Sequence, residues 1–302
     1  MIVLLESVHA DALALLEAVD EVRLMADPLA YDADLDRRSV RVILTRGRGR
    51  ITEATYDEFP DLAVVGRCGA GLDNIDVEAA RARGIDVVYA PGATTAAVSE
   101  HAVLLMLGLA RRVAMLDAAV KGGQWSVRDG YTGTEMRGKR LGVVGLGAIG
   151  RRLVALGRAL DMDAVYWSPL SRDDDVPLLE LDELLASSDV VQLCVALAPQ
   201  TRHLIDERRL ALLRPGALLV NTARGAVVDH AALRRSLAAG RIGGYATDVW
   251  DPEPPPADDL APIADRVLVT PHVAAITDVT YRDICVRTAE AALAVLRPRA
   301  CG

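Results

Sequence analysis

Three side chains of this sequence could together move a proton beside an anion. They are Arg224 in Asn221-Thr222-Ala223-Arg224-Gly225, Glu253 in Asp248-Val249-Trp250-Asp251-Pro252-Glu253, and His272 in Thr270-Pro271-His272. A guanidinium presents a planar fork that grips a carboxylate through two hydrogen bonds. An imidazole gives and takes a proton near neutral pH, and a carboxylate beside it favours the protonated form. Each residue has a plain alternative: a surface cation, a solvated acid in a proline-rich turn, a satisfied core histidine. Each also follows an apolar run that reads as a strand, namely Ala217–Asn221, Gly244–Asp248 and Val267–Thr270. Ligands of open α/β sheets gather beyond the carboxyl ends of strands. Three such residues at three strand ends point to one site and one proton-coupled reaction.

A further strand end carries glycines. Leu141–Val144 reads as a buried strand that enters Gly145-Leu146-Gly147-Ala148-Ile149-Gly150, a G-x-G-x-x-G. Apolar residues then recur at helical spacing, Ile149, Leu153, Leu156 and Leu160. The glycines serve a tight turn, close approach of backbone to a pyrophosphate, and close packing of helix on strand. The free N–H groups and positive dipole end of the helix add an anion site. With 24 glycines in the chain a bare motif is weak. The strand before and the amphipathic helix after make it a dinucleotide turn, with Gly145, Gly147, Ala148, Ile149 and Gly150 as contacts.

These groups need elements to hold them. In the first hundred residues candidate strands Ile2–Leu5, Val22–Leu24, Val42–Leu44, Ala63–Gly66 and Val87–Tyr89 alternate with helical segments Ala10–Val19, Thr52–Glu58 and Val77–Arg83. Such alternation predicts a parallel sheet covered on both faces. Ala96–Arg111 reads as a long apolar helix connecting two domains, and Val120–Arg137, rich in glycine, as an irregular functional loop or interface arm. Alternation resumes at Lys139, with further strands at Ala164–Trp167 and Val190–Val195 and a helix Ala231–Ala239 capped near Asp229. Asp278–Leu296 is a closing helix that returns to the first domain. The expected architecture is α/β: two Rossmann-like, doubly wound parallel-sheet domains with a cleft between them. Residues 1–97 plus 276–302 form a substrate-binding domain and 98–275 the dinucleotide-binding domain.

The bulk numbers agree with an enzyme of this kind. A chain of 302 residues with 51% apolar and 25% charged content suits about two soluble globular domains. A net charge of −8 argues against nucleic acid or an anionic membrane as partner. Cys68, Cys194, Cys285 and Cys301 form no C-x-x-C or Cys/His cluster, so no metal is expected, and reduced thiols point to the cytoplasm. The chain opens directly on a strand, without a basic segment and cleavage site. The one strongly apolar helix is interrupted by Glu100 and His101 and does not span a membrane.

Taken together, Gly66-Arg-Cys-Gly-Ala-Gly-Leu-Asp-Asn-Ile-Asp76, Val98-Ser-Glu-His101, Gly145–Gly150, Asn221–Gly225, the Asp248/Glu253 segment and Thr270-Pro-His272 resemble the D-isomer-specific 2-hydroxyacid dehydrogenases. These include D-3-phosphoglycerate dehydrogenase and the glyoxylate/hydroxypyruvate reductases. The resemblance runs the length of the chain. It implies hydride transfer between a nicotinamide cofactor and a 2-oxo or D-2-hydroxy acid, with Arg224, Glu253 and His272 as the catalytic residues and a homodimer as the assembly. It further implies that Thr222, Ala223 and Asp248 serve the cofactor, Asp248 at the nicotinamide carboxamide, and that the backbone of Gly69-Ala70-Gly71 forms an N–H nest for the substrate carboxylate.

The chain departs from that pattern in three places. Many NAD-using relatives carry an acid at the end of the strand after the glycine turn; here the place falls on Ser168, with Arg172 nearby. A serine does not repel a 2′-phosphate, so NADP(H) is favoured over NAD(H), although Arg172 could instead pair with the acidic run Asp173–Asp175. At the adenine wall Cys194 and Ala196 stand where relatives often have His or Asn and Pro. In Thr45-Arg46-Gly47-Arg48-Gly49-Arg50, Arg46 aligns with an arginine of the phosphoglycerate enzymes, and Gly47 replaces its serine neighbour. Three arginines in five residues suit a phosphate or phosphonate on the substrate; the alternative is a solvated basic loop. Two rival functions share the fold: a formate- or phosphite-type dehydrogenase, and a dinucleotide-sensing protein resembling the C-terminal binding proteins.

Overall fold

Short aliphatic runs closed by glycine or polar turns become parallel strands here, because helices on both sides bury both faces of each run. The computed structural model describes residues 1–30 and 33–296; Cys301 and the end of the expected substrate domain, 297–302, lie outside them. The chain divides into two units, Met1–Thr94 with Ala275–Gly302, and Thr95–Ala274. Both are α/β with wholly parallel sheets, the class expected from the alternation.

In the first unit β1 (Ile2–Leu4), β2 (Val22–Leu24), β3 (Val42–Thr45), β4 (Val64–Arg67) and β5 (Asp86–Tyr89) line up in the order β2-β1-β3-β4-β5. Strand alternation sorts their side chains into two layers. Val3, Ile43 and Val65 join Tyr56 and Phe59 in one core. Ile2, Leu4, Leu44 and Val64 join Leu16, Ile284 and Ala289 in the other. The second layer is closed by the helix Asp278–Leu296, whose Thr288 hydroxyl donates to the Arg67 carbonyl at 3.2 Å. The strand order reverses between β1 and β3, so the loops after these two strands flank a crevice.

In the second unit β6 (Arg140–Val144), β7 (Asp163–Trp167), β8 (Val190–Leu193), β9 (Leu218–Asn221), β10 (Gly244–Thr247) and β11 (Val267–Val269) run in the order β11-β10-β9-β8-β6-β7. A single parallel bridge from Tyr166 to Leu178 extends the sheet beyond β7. Val144, Val191, Leu193 and Leu219 face one core; Val143, Val190, Val220 and Ala246 face the other, beneath Leu105 and Met106 of the helix Thr95–Ala110. No helix among the described residues is long and apolar enough to cross a membrane. The stretch expected to be irregular, Val120–Arg137, contains the end of a helix, Val113–Lys121, and a 3-10 segment, Trp125–Gly130. Neither has a buried residue. Here the strand order reverses at β6, between β7 and β8, and the loops after β6 and β8 meet.

Candidate active site

The meeting of those loops dictates the glycines. Gly145 has φ +101, and a Cβ on it would stand 2.9 Å from the Cys194 carbonyl carbon. A Cβ on Gly150 would lie 2.1 Å from the Gly145 oxygen, so the helix Ala148–Ala159 starts in contact with the turn. Gly147 is different, since its Cβ direction is empty within 4 Å. Gly147 is also the N-cap, and no side chain caps the helix, so the first amides, at Ala148 and Ile149, face an open cradle that a side chain at Gly147 would fill. Nearby at the end of β9, the Thr222 hydroxyl is buried without a hydrogen-bond partner among the described residues. A pyrophosphate and ribose fit this donor set: backbone N–H groups at a helix start, and one unspent hydroxyl.

Three strand ends along, the polar residues converge. Glu253 Oε2 and His272 Nδ1 are 2.8 Å apart, and Glu253 Oε1 accepts the Trp250 amide at 3.1 Å. Burial pushes the Glu253 carboxyl up, but the His272 hydrogen bond and charge, the Trp250 amide and the Arg224 charge outweigh it and hold the group below its ordinary value. With Nδ1 engaged, His272 Nε2 is the nitrogen left for a reactant; His272 and Glu253 are both well exposed. Arg224 follows β9, and its Nη1 donates to the Ala223 carbonyl at 2.7 Å. Gly225 cannot be any other residue, since a Cβ there would sit 2.0 Å from the Trp250 oxygen. The Arg224 and Glu253 turns are therefore packed backbone to backbone.

Asp248 is the hub beneath them. It is 2% exposed. Its Oδ1 accepts the Thr270 hydroxyl at 2.6 Å and the Val273 amide at 2.9 Å, and Oδ2 accepts the Ala274 amide at 2.8 Å. The His272 amide donates to the Asp248 carbonyl at 2.8 Å. His272 itself has φ +56, a left-handed conformation that costs a non-glycine residue about 1–3 kcal/mol and survives where the surroundings enforce it. Asp248 supplies that enforcement. His101, on the long helix, completes the network at 2.8 Å from the Thr270 hydroxyl.

In the first unit, the loops after β3 and β4 carry Arg46 and Gly69–Gly71. Gly69 has φ +154, and a Cβ on it would meet Arg67 Nη1 at 2.2 Å. The Arg67 guanidinium also lies 3.5 Å from the Cβ direction of Gly47, so it sits between the two glycine-bearing loops. Glu6, just past β1, accepts the amides of Arg46 and Arg48, each at 2.8 Å, and lies 3.7 Å from the Arg46 guanidinium. Arg46 also lies 5.2 Å from the face of Tyr281.

A family model described as the NAD binding domain of the D-isomer specific 2-hydroxyacid dehydrogenases matches residues 103–274. The chain belongs to that family. It is 36% identical over 303 residues to a D-3-phosphoglycerate dehydrogenase of Methanocaldococcus jannaschii, a match covering 98% of this chain and 57% of that one. It is 38% identical over 244 residues to an (S)-sulfolactate dehydrogenase of Chromohalobacter salexigens, covering 79% of each. Among solved structures, an NADPH-dependent glyoxylate/hydroxypyruvate reductase from Sinorhizobium meliloti superposes with a TM-score of 0.87 at 28% identity, covering 95% of this chain and 91% of that one. The chain spans about half the length of D-3-phosphoglycerate dehydrogenases it matches, 57% and 45% for two of them.

Within this family member, the atypical residues have definite surroundings. Ser168 is buried, and its hydroxyl accepts the Leu170 and Ser171 amides at 3.4 and 3.0 Å, so it closes its own turn. Arg172 is exposed and donates to the carbonyls of Ser168 and Ser171. The acidic run engages the glycine-turn helix instead: Asp173 pairs with Arg151, and Arg158 donates to the Asp175 carbonyl. Cys194 is partly buried, and desolvation pushes its thiol up to about 12. The residues that sequence reasoning left unassigned are Glu6, Arg67, His101 and Thr270. Glu6 could have been found by the strand-end rule that singled out Arg224, since it follows β1 directly.

Proposed function

We propose that this protein reduces a 2-oxo acid to a D-2-hydroxy acid with a nicotinamide cofactor, and catalyses the reverse oxidation. The observation that carries it is the 2.8 Å His272–Glu253 pair beside Arg224, at the ends of consecutive strands of a dinucleotide-type sheet. When bound, the reduced nicotinamide supplies the hydride that goes to C2 of the 2-oxo acid. His272 Nε2 delivers the proton to the emerging alkoxide, and Glu253 keeps the imidazole oriented and charged. Arg224 grips the carboxylate and the carbonyl oxygen, where its charge stabilises the developing oxyanion. The Gly69-Ala70-Gly71 amides are the proposed second contact of the carboxylate. Asp248 Oδ2, with one amide already on it, is the proposed acceptor for the cofactor's carboxamide.

NADP(H) is favoured over NAD(H) because Ser168 has no charge to repel a 2′-phosphate, Arg172 is exposed beside it, and Asp173 is taken by Arg151. A second anionic group on the substrate is supported by the arginine loop and by relatives named for phosphoglycerate and sulfolactate. A homodimer is supported by apolar side chains left exposed, Trp125 at 67% on the arm and Leu104 at 62% on the helix Thr95–Ala110. The cytoplasm is the expected location. A panel of 2-oxo acids with NADPH and NADH, followed at the nicotinamide absorbance, tests the activity. In His272→Ala turnover should fall roughly 100-fold or more while cofactor affinity holds; near-normal turnover would remove His272 from the mechanism.

A further inference from the structure

Beneath the Arg224 and Glu253 turns lies an aromatic cluster that the mechanism above does not use. His230, Tyr245 and Trp250 are all buried. The His230 ring stacks on Trp250 with centroids 4.2 Å apart and planes at 13°. Tyr245 stands edge-on to His230 at 6.3 Å and tilted to Trp250 at 6.0 Å.

Each partner of His230 is tied to one of the two turns. The Trp250 amide holds Glu253 Oε1. The Tyr245 hydroxyl accepts Asn221 Nδ2 at 3.2 Å; the same Nδ2 donates to the Arg224 carbonyl at 3.0 Å, and Asn221 Oδ1 accepts the Ala223 amide at 2.9 Å. Because Gly225 lies directly on the Trp250 carbonyl, a shift of Trp250 moves both turns.

Two polar atoms of this cluster, His230 Nε2 and Trp250 Nε1, are buried without a hydrogen-bond partner among the described residues. Two purely apolar rings could fill the same space without that cost. His230 repays it through its other nitrogen, which bonds the backbone of Asp251, the residue after Trp250. One ring thus holds the plane of Trp250 by stacking and the direction of the following peptide by a hydrogen bond.

We propose that His230 is a positioning residue of the reaction: by clamping the Trp250–Asp251 turn it sets Glu253 against His272 and seats the Arg224 turn. This rests on the reading of Arg224, Glu253 and His272 as the reacting groups.

Two buried-compatible substitutions test it. His230→Phe keeps the stacked plane; His230→Leu keeps apolar volume without the plane. The Leu variant should lose roughly 100-fold in kcat for 2-oxo acid reduction, the scale of a misplaced catalytic group, and the Phe variant, which keeps the stack but not the hydrogen bond to Asp251, should recover part of it. Cofactor affinity, read by nicotinamide fluorescence, should be the same in all three proteins. In the Leu variant alone the solvent deuterium isotope effect on kcat should grow, because proton delivery from a misplaced His272–Glu253 pair becomes the slow step. Equal kcat in the Leu and Phe variants, or a Leu variant with an unmoved solvent isotope effect, overturns the proposal. So does a Leu variant that fails to fold while the Phe variant folds, which assigns the ring to stability. His272→Ala separates the two levels: if it reduces normally the underlying reading falls, whereas an inactive His272→Ala beside a normal His230→Leu removes only the role of His230.

Discussion

His230 also governs how the second unit responds to acid. Burial pushes its imidazole down from the ordinary 6.5 to about 4, so between those values an unfolded chain binds a proton that the folded chain refuses. Stability is therefore complete above 6.5 and falls as pH is lowered towards 4, by as much as about 3 kcal/mol for the whole shift. Glu253 acts on the acid side of that window. Its carboxyl is held below its ordinary value, so its contribution is present above that value and is lost as pH falls through the lowered one. His230→Phe removes only the histidine's share. The melting temperature of the unaltered protein should accordingly drop more steeply between pH 6.5 and 4 than that of His230→Phe. Parallel curves would mean that the imidazole is not excluded from protonation in the fold.

At the scale of elements, the loop after β7 is the proposed determinant of cofactor choice. Ser168 there closes a turn on the Leu170 and Ser171 amides, an acceptor role that an aspartate can take over with either oxygen. Ser168→Asp should therefore be tolerated by the fold while placing a carboxylate where a ribose 2′-OH is bound and a 2′-phosphate repelled. The ratio of kcat/KM for NADPH over NADH should invert in that variant. An unaltered protein that already prefers NADH would refute the assignment before the variant is made. The same loop shows what sequence can and cannot disclose. β6, β8, β9 and β10 were legible because burial on both faces leaves short, mostly apolar runs. Leu178 was not, since a strand of one bridge has no run to detect. Helices Leu181–Ser187 and Glu207–Leu212 are two turns or less, too short for a 3.6-residue period to assert itself. The placement of Arg224, Glu253 and His272 just past β9, β10 and β11 was legible because the strands before them were. The Glu6 carboxylate on the Arg46 and Arg48 amides spans about forty residues of sequence and depends on β1 and β3 pairing side by side. No local pattern announces it.

Over the whole molecule, charge sets a condition on the substrate. The protein carries −8, so its general field opposes the approach of a dianion, and any preference for a doubly anionic 2-oxo acid must be local. The Thr45–Arg50 loop is the proposed local source, with Arg46 half-buried and Arg48 and Arg50 exposed. Arg46 is also the one committed elsewhere, since Glu6 lies 3.7 Å from it and takes two loop amides. That partner holds the guanidinium in place while cancelling part of its charge. A charge-assisted contact is worth about 1.5–3 kcal/mol, and with Glu6 beside it the lower end applies, roughly 10-fold in kcat/KM. The comparison is between a phosphorylated or sulfonated 2-oxo acid and glyoxylate, before and after Arg46→Ala. The dianion should lose most of its advantage and glyoxylate should change little. Because the contact is half-exposed, the loss of dianion kcat/KM on Arg46→Ala should be smaller at roughly 0.15 M salt, where screening shortens to about 8 Å, than at roughly 0.01 M. Equal losses for both substrates in Arg46→Ala would assign the loop to folding, with Glu6 and Arg46 a structural ion pair.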